Sequence, residues 1–428
     1  MPSKRAVLCL LSCLVTGALL SGCGTSKGPA DASSRVTPTS GAATGPAAAA
    51  STSAARPTAE PRGRATAKPT TAGPSRTPRH TAAPTTHAKA PRTVSSGGMP
   101  TAGNPQGHAT VPAAARAVDS SHPTRTIGDG TAASCTSAAV VAAVAAGGVI
   151  TFSCGPRPVV ITMDATAKVR NAAGPRVVLD GGGKVTLSGA GKRRILYMDT
   201  CDQAQGWTTS HCQDQSEPEL TVQNLTFADG NSTGDTAEGG GGGAILVRGG
   251  RFKAVNTRFV RNRCDTTGPD LGGAAIRVLD QYQDLPVYIT DSTFGGAPGQ
   301  GGSCSNGGAL SSIGVSWVVL NSVMTYNSAV GNGANPARGG TPGGGSGGAV
   351  YTDGNQYTVR IDGSVISHND AKEGGGALFF VSNDHTGTLT IQSSTLHADA
   401  SHGFATAGFP GIFFIGAGKP DVTASSLS

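Results

Sequence analysis

Charged residues that follow short apolar runs are the strongest candidates for chemistry in this sequence. Asp353 and Asp384 come just after two such runs, and Arg248 and Arg277 follow the equivalent runs earlier in the chain. A polysaccharide lyase needs a calcium cluster of Asp residues with an Arg or Lys base close by, and a glycoside hydrolase needs two or three carboxylates on neighbouring strands. These four residues are therefore the candidate catalytic residues, although their spacing alone does not bring them within hydrogen-bond reach.

A second group of acids could hold calcium, a cation that prefers oxygen ligands. The group comprises Asp229, Asp235 and Glu238 in one predicted turn, and Asp265 and Asp270 in the equivalent turn of the next repeat. The alternative is that they are solvated loop carboxylates, because no dense Asp-x-Asp-x-Asp loop is present. No cofactor other than calcium is expected.

Three aromatic residues are candidates for stacking on sugar rings. Tyr351 and Phe379 occupy the same place in successive apolar runs, and Trp207 lies in a predicted disulfide loop. Sugar binding requires that Tyr351 and Phe379 point outward; a shift of one residue in register would place both in the core instead. The Gly-rich insertion 331–345 is a further candidate, since such insertions often carry binding function.

These candidates sit on a repeat. A Gly-Gly-Ala element followed by apolar residues occurs at Gly242, Gly272, Gly307, Gly347 and Gly375, and in weaker form from Gly408. Between these elements lie alternating runs that end on a large apolar residue. These closing residues recur every 30 to 42 positions at Phe227, Phe259, Phe294, Met324, Ile366, Leu396 and Leu427.

A repeat of about 30 residues with short strands and no helical period favours a parallel β-helix over a propeller or a leucine-rich repeat. Stacked circuits of chain would place equivalent residues in columns. The closing residues predict one inner column. A second inner column is predicted at Ile245, Ala275, Leu310, Val350, Leu378 and Ile412. A third row is predicted to be a polar ladder at turns, at Asn224, Asn256, Asp291, Asn321, Gly363 and Ser393, with an exposed binding row as the alternative.

The Gly-Gly-Ala element, together with the Phe-x-x-Asn pattern at Phe259 to Asn262 and its variants ending at Asn327 and Asn369, resembles the repeat of the polymorphic outer-membrane proteins. More broadly, the chain resembles the right-handed parallel β-helix, or pectin-lyase-like, superfamily. The resemblance implies an all-β, right-handed parallel β-helix solenoid. It also implies either surface adhesion or polysaccharide cleavage.

The N-terminus indicates export and lipid anchoring. Lys4 and Arg5 precede an apolar run too short to span a bilayer, so residues 1–22 are predicted to be a signal peptide. The run ends in Leu20-Ser21-Gly22-Cys23, which resembles the lipobox of bacterial lipoproteins. Cys23 is therefore the predicted lipidation site, and the protein is expected on the outer face of the cell membrane, with its domain displayed in or beyond the cell wall.

Residues 23–125 are predicted to be a disordered linker, because they are rich in Ala, Thr and Pro and contain no aromatic residue. The linker carries 12 Lys and Arg against 3 Asp and Glu, whereas residues 126–428 carry 19 against 23. The basic balance thus belongs to the linker, which either lies against an anionic surface or is a soluble spacer. Nucleic-acid binding is not expected.

Residues 126–428 are predicted to be one domain, which opens with a short capping helix from Ser137 to Gly147. Six cysteines lie in this domain, and an even number in an exported chain favours disulfides. Fifteen pairings are possible. The favoured ones are Cys135–Cys154, Cys201–Cys212 and Cys264–Cys304, with a metal site as the rival interpretation.

The sequence therefore predicts a lipid-anchored surface protein that binds envelope or extracellular polysaccharide or another surface partner. A polysaccharide lyase or glycoside hydrolase is the alternative, and a display scaffold without a ligand is a third. The chain carries no phosphate-binding loop, dinucleotide fingerprint or nucleophile elbow, which argues against nucleotide and serine-hydrolase chemistry. The last strand, near Val422 to Leu427, has no predicted cap, and association through this open coil is expected.

Overall fold

A computed structural model describes residues 99–428. The predicted signal peptide, the lipidation site Cys23 and the linker up to residue 98 lie outside the described residues. Within residues 99–428, no helix combines the length and the apolar character needed to cross a membrane.

The described chain is built from parallel sheets of 17, 8 and 4 strands, called here the long, middle and short sheets. The strands of the long sheet are Arg125–Ile127, Gly148–Phe152, Val159–Thr162, Arg176–Ser188, Glu219–Ala228, Arg251–Val255, Arg258–Val260, Val287–Thr290, Thr293–Phe294, Trp317–Leu320, Val323–Thr325, Thr358–Asp362, Val365–Ser367, Thr388–Gln392, Thr395–His397, Asp421–Thr423 and Ser426–Leu427. Those of the middle sheet are Ala167–Lys168, Leu196–Asp199, Ile245–Arg248, Ile276–Val278, Leu310–Ile313, Val350–Gly354, Leu378–Ser382 and Ile412–Ile415. Those of the short sheet are Ser303–Cys304, Ser328–Ala329, Asp370–Ala371 and Ala400–Ser401.

Successive strands of each sheet come from successive repeats of the sequence. Ile245 is in register with Ile276, Ile276 with Leu310, and Leu310 with Val350. The chain thus visits the long and middle sheets in each repeat and pairs each strand with its equivalent one repeat later. This all-β, parallel arrangement is compatible with a β-helix solenoid.

The predicted column of closing residues lies in the core. All six side chains from Phe227 to Leu396 are at most 1% exposed. The rings of Phe227 and Phe259 stack with 5.1 Å between centroids, and those of Phe259 and Phe294 with 4.7 Å. Each buried side chain of this size contributes about 1.5–3 kcal/mol.

The second predicted column is wrong at one position. Ile276, not Ala275, is the register partner of Ile245 and Leu310. The second repeat has one more small residue between its Gly pair and its strand, because Ala274 and Ala275 stand where Ala244 and Ala309 stand alone. Shifting the strand by one residue keeps the larger Ile276 in the core and turns Arg277 outward.

The predicted turn ladder is present. Its six residues all have positive φ angles, from 47° at Ser393 to 62° at Gly363. Asn and Asp tolerate this left-handed conformation because their side chains hydrogen-bond locally. The ladder marks the bend between the two strands that each repeat gives to the long sheet.

The capping helix spans Ser137–Ala146 and ends at Gly147, whose φ is 68°. The sequence placed Ser137 at the N-cap. Instead Thr136 is the N-cap, with its Oγ1 accepting from the Ala139 amide at 3.2 Å. Ser137 accepts from the Asp164 amide and so ties the helix to the strand region below it. Short 3-10 helices occur at Ala113–Ala115, Ala132–Ser134, Gln203–Gln205 and Tyr282–Asp284.

The structure brings together the three cysteine pairs that the sequence favours. The Cα–Cα distances are 5.7 Å for Cys135–Cys154, 4.9 Å for Cys201–Cys212 and 4.8 Å for Cys264–Cys304, all within the range of a disulfide. The third pair joins equivalent turns of neighbouring repeats.

The boundary of the predicted linker is corrected by the structure. Residues 99–124, called here the strap, lie along the long sheet. Asn321 accepts from the Ala109 amide at 2.8 Å and donates to its carbonyl at 3.1 Å, and Gln223 does the same for Val118 at 2.8 Å each. The strap docks through backbone hydrogen bonds rather than apolar burial, so its composition did not reveal it.

Candidate functional site

Asp353, the best-placed catalytic candidate, lies half-buried on the outer face of the middle sheet. Its Oδ2 accepts from the Asn335 side-chain amide at 2.9 Å and from the Tyr351 hydroxyl at 3.1 Å. Its Oδ1 accepts from the Asn383 side-chain amide at 3.1 Å. Both carboxylate oxygens are therefore already engaged by neighbouring side chains.

Asp270 shares a partner with Asp353. Asn335 Nδ2 also lies 2.9 Å from Asp270 Oδ1, so the two carboxylates approach to within at most twice that distance. Carboxyl groups about 5–5.5 Å apart are typical of retaining glycosidases. Here, however, the amide of Asn335 sits between the two acids.

Arg277 lies on the same face and is 5% exposed. Its Nη1 donates to the carbonyls of Gly239 and Gly240 at 3.2 and 3.3 Å. Burial lowers the pKa of Arg277 to about 10, and Asp270 opposes that change. At neutral pH the guanidinium therefore stays charged, and it can stabilise negative charge but does not serve as a general base.

The other two catalytic candidates, Arg248 and Asp384, are engaged by other partners. Arg248 pairs with Asp199 at 3.4 Å. Asp384 accepts from Ser382 at 2.8 Å and from Thr386 at 2.9 Å within its own turn, and the Ser382 hydrogen bond holds its pKa below the usual range. Neither residue contacts Asp353.

The five predicted calcium ligands do not converge on one point, and the described residues contain no group of three acids, cysteines or histidines placed to hold a metal. Arg194 is buried and forms salt bridges with Asp235 at 2.8 Å and with Glu238 at 2.7 Å. No sequence pattern indicated this arginine. Asp229 pairs with Arg261 at 2.8 Å. Asp265 accepts from the Gly234 amide, and Asp270 from Asn335.

Tyr351 and Phe379 lie on the outer face of the middle sheet, which is one of the two placements that the sequence left open, but neither ring faces solvent. They stack on each other with 4.9 Å between centroids and are 0% and 3% exposed. The side-chain nitrogen of Asn335, from the insertion 331–345, lies 2.9 Å from the Tyr351 hydroxyl oxygen, and Phe404 packs edge-on against Phe379. Stacking of a sugar on either ring is therefore excluded in this conformation; Trp207 is 50% exposed.

The insertion 331–345 is fastened over this face. Arg338 pairs with Glu373 at 2.7 Å, and Glu373 also accepts from the Gly333 amide at 2.8 Å. This ion pair lowers the pKa of Glu373. Together with the Asn335 contacts, it makes the insertion a cover for the carboxylate pair.

A more open site lies on the long sheet, where the strap crosses the turn ladder. A cavity of 540 Å³, called here the ladder cavity, opens between strap residues 102–105 and strap residues 111–117. Its floor is the turn ladder and its rim is the strap. Its polar lining includes Asn104, Arg116, Asn224, Asn256 and Asp291.

The floor side chains are ordered by one another. Asn256 donates to Asn224 Oδ1 at 2.7 Å, and Asn224 donates to Asp180 Oδ1 at 2.9 Å. Within the described residues, Asn256 Oδ1 makes no hydrogen bond, which leaves it able to accept from a ligand. Burial raises the pKa of Asp291, and its hydrogen bond with Asn321 opposes the change.

The floor of this cavity could be predicted from the sequence, but its rim could not. The ladder residues were visible because they repeat with the strands. The strap could not be predicted in this way. It docks through hydrogen bonds of the Ala109 and Val118 backbone with Asn321 and Gln223, and no sequence pattern within the strap indicates these contacts. A single available signal was the shift from Thr-Pro repeats to the more varied stretch after Met99.

Comparison of the chain with protein-family models, with curated proteins and with solved structures finds no match. The functional argument therefore depends on the geometry described above.

Proposed function

We propose that this protein is an exported, lipid-anchored surface protein that binds polysaccharide in the ladder cavity. The observation that carries this proposal is the lining of an open 540 Å³ cavity by planar amide and carboxylate side chains. That volume falls within the range of small-ligand pockets. Amides and carboxylates held in fixed positions match the hydroxyl groups of a sugar, which both donate and accept hydrogen bonds.

Binding is favoured over catalysis because the acids of the middle sheet are occupied. Asp353 uses both oxygens on Asn335, Tyr351 and Asn383, and the insertion 331–345 covers the pair that it forms with Asp270. A catalytic acid or base must reach a substrate proton directly or through one water. In the ladder cavity, by contrast, polar atoms face an opening.

The finer fold assignment is part of this proposal. The Gly-Gly-Ala and Phe-x-x-Asn repeats support a right-handed, pectin-lyase-like β-helix with the repeat type of the polymorphic outer-membrane proteins. The Phe-x-x-Asn asparagines Asn327 and Asn369 are buried, each 1% exposed. Asn327 donates to Asn369 at 2.9 Å, and Asn369 to Asp399 at 2.8 Å, in keeping with this assignment.

Surface display follows from the N-terminal sequence. The motif ending at Cys23 supports a lipid anchor, and the Pro-rich segment after it supports a tether that holds the domain away from the membrane. A protein displayed in this way meets envelope and extracellular polysaccharides directly.

The test is retention of purified full-length protein on a panel of immobilised neutral and acidic polysaccharides, with and without calcium. Asn256→Gly removes a floor side chain without strain, because Gly363 occupies the same ladder position with a φ of 62°. We expect it to weaken retention about tenfold, since it removes hydrogen bonds worth about 1 kcal/mol each. Ser393→Gly, in a repeat outside the cavity, is the control. Equal retention of both variants and the parent would overturn the proposal.

A second candidate function is glycoside hydrolysis, which the proximity of Asp270 and Asp353 favours. It requires that the insertion 331–345 move away from the pair. New reducing ends that disappear in Asp353→Asn and persist in Asp384→Asn would establish it and replace binding as the leading function.

A further inference from the structure

A second cavity, called here the cationic pocket, lies beside the ladder cavity on the long sheet. It measures 380 Å³ and is enclosed by the strap turn at Ala113 and Ala114 and by the beginnings of four strands. Arg176, Glu219 and Arg251 form one column of register partners along its wall. Lys253 and Tyr288 form the next.

The charges in the pocket do not balance. Arg251 and Arg176 share one oxygen of Glu219, at 3.1 and 3.8 Å. Lys253 adds a third cation, so three positive groups face one carboxylate. Like charges held together with too little counter-charge favour the entry of an anion.

Two side chains in the pocket carry N–H donors without partners among the described residues. Lys253 is 8% exposed, and its ammonium group donates to the Ala114 carbonyl at 3.1 Å. A lysine has three N–H donors, so two remain for a ligand. Arg251 Nε is buried without a partner among the described residues. Leaving buried charged donors unsatisfied is costly unless a ligand completes them.

We infer that the cationic pocket binds the carboxylate of an acidic sugar residue, which makes the preferred polysaccharide an acidic one. This inference deepens the function proposed above and depends on it. The strands Arg251–Val255 and Val287–Thr290 carry both sites, with Lys253 and Tyr288 in the pocket and Asn256 and Asp291 in the ladder cavity. Lys253 and Asn256 are three residues apart, or about 10 Å along a strand. One oligosaccharide can therefore reach both.

The half-buried ring of Tyr288 and the stem of Lys253 give the pocket an apolar side against which a sugar ring can pack. Arg251 and Arg176 supply fork-shaped donors suited to a planar carboxylate. The ligand displaces part of their interaction with Glu219. Because these charges are partly exposed, the gain in affinity should fall as ionic strength rises.

The experiment is calorimetric titration of full-length protein with trigalacturonate and with its fully methyl-esterified, uncharged form. The parent protein is expected to bind the acid at least tenfold more tightly than the ester at low salt. Lys253→Met and Arg251→Gln are expected to abolish this preference while ester binding persists. Arg360→Gln is the matched control, because Arg360 lies in the Lys253 column two repeats beyond Tyr288 and outside the pocket.

The outcomes separate the two proposals. If neither compound nor any glycan of the panel binds, the proposed function fails and this inference with it. If acid and ester bind equally, or if the preference survives in both pocket variants, the cationic pocket is not the anion site while sugar binding stands. A sulfated trisaccharide that outcompetes trigalacturonate would replace the carboxylate by a sulfate as the ligand group. Because Arg251 is 43% exposed, Arg251→Gln is expected to fold even if Lys253→Met does not.

Discussion

Asn256 donates its side-chain amide to Oδ1 of Asn224 in the preceding repeat, with 2.7 Å between nitrogen and oxygen. Asn224 in turn donates to Asp180 one repeat earlier. These hydrogen bonds connect the turns of three repeats, and Asn224 and Asn256 also form the floor of the ladder cavity. A single set of side chains thus sets the backbone bend and presents polar atoms to a ligand.

This double role predicts different effects for two substitutions of Asn256, whose φ is 51°. Asn256→Gly loses the hydrogen bond and is expected to lower the free energy of unfolding by about 1 kcal/mol. Asn256→Ala adds left-handed strain of about 1–2 kcal/mol. Urea unfolding should therefore rank the parent above the Gly variant and the Gly variant above the Ala variant. An Ala variant as stable as the Gly variant would contradict the ladder geometry.

The strap is predicted to be released by loss of Asn321, which clasps both backbone groups of Ala109. Asn321→Gly keeps the turn, so the domain should stay folded while amides near Ala109 exchange hydrogen with solvent at least tenfold faster. Hydrogen–deuterium exchange read by mass spectrometry checks this. Ser393→Gly, which lies beyond the strap, should leave the exchange unchanged, and equal effects from both variants would speak against the clasp.

Asp399 should make stability depend on pH. It ends the hydrogen-bonded row of Asn327, Asn369 and Asp399, and its buried Oδ2 has no hydrogen-bond partner among the described residues. Burial raises its pKa to about 6, against the ordinary value of 3.8. The folded state therefore holds this proton between these two pH values while the unfolded state has lost it. The free energy of unfolding should fall as pH rises through that window, by about 2–3 kcal/mol in total.

Asp399→Asn is the matched variant, since Asn262, Asn327 and Asn369 hold the equivalent positions in earlier repeats. It should remove this pH dependence and raise the melting temperature at pH 7.5. His368 contributes a weaker, opposite influence on Asp399 and is unchanged in the variant. If the melting temperatures of parent and variant differ equally at pH 4 and pH 7.5, burial does not set the pKa of Asp399.

The disulfides should differ in their contribution to stability. Cys264–Cys304 spans 40 residues and joins two buried sulfurs, whereas Cys201–Cys212 spans 11 and is half-buried. Closing the longer loop removes more entropy from the unfolded chain, about 4 against about 3 kcal/mol. Chemical unfolding of the two double alanine variants should show the greater loss for Cys264 and Cys304. The reverse order would argue against the loop-entropy account.

The stacked parallel sheets could be predicted from the sequence because each structural repeat is also a sequence repeat. Phe227, Phe259 and Phe294 recur at strand ends, and the ladder asparagines recur three positions earlier. The one register error, at Ala275, arose because two small residues in succession give no packing signal, and only the size of Ile276 decides which residue enters the core.

The sites were less predictable because they depend on contacts between segments that do not repeat. The sequence left open whether Tyr351 faces outward or into the core, and the insertion that covers it has no equivalent in the other repeats. The Arg176, Glu219 and Arg251 column could have been found by aligning strand starts. This column lines a pocket only because the strap packs against it, and the composition of the strap resembles that of the linker before it.

The most direct test of the central claim is hydrogen–deuterium exchange of the full-length protein with and without the polysaccharide that it retains. Binding in the ladder cavity predicts slower exchange in the strap, near Asn256 and in the strand Val287–Thr290, with no change around Asp353. Slower exchange confined to the insertion 331–345 and the strand Val350–Gly354 would contradict it and place the functional site on the middle sheet.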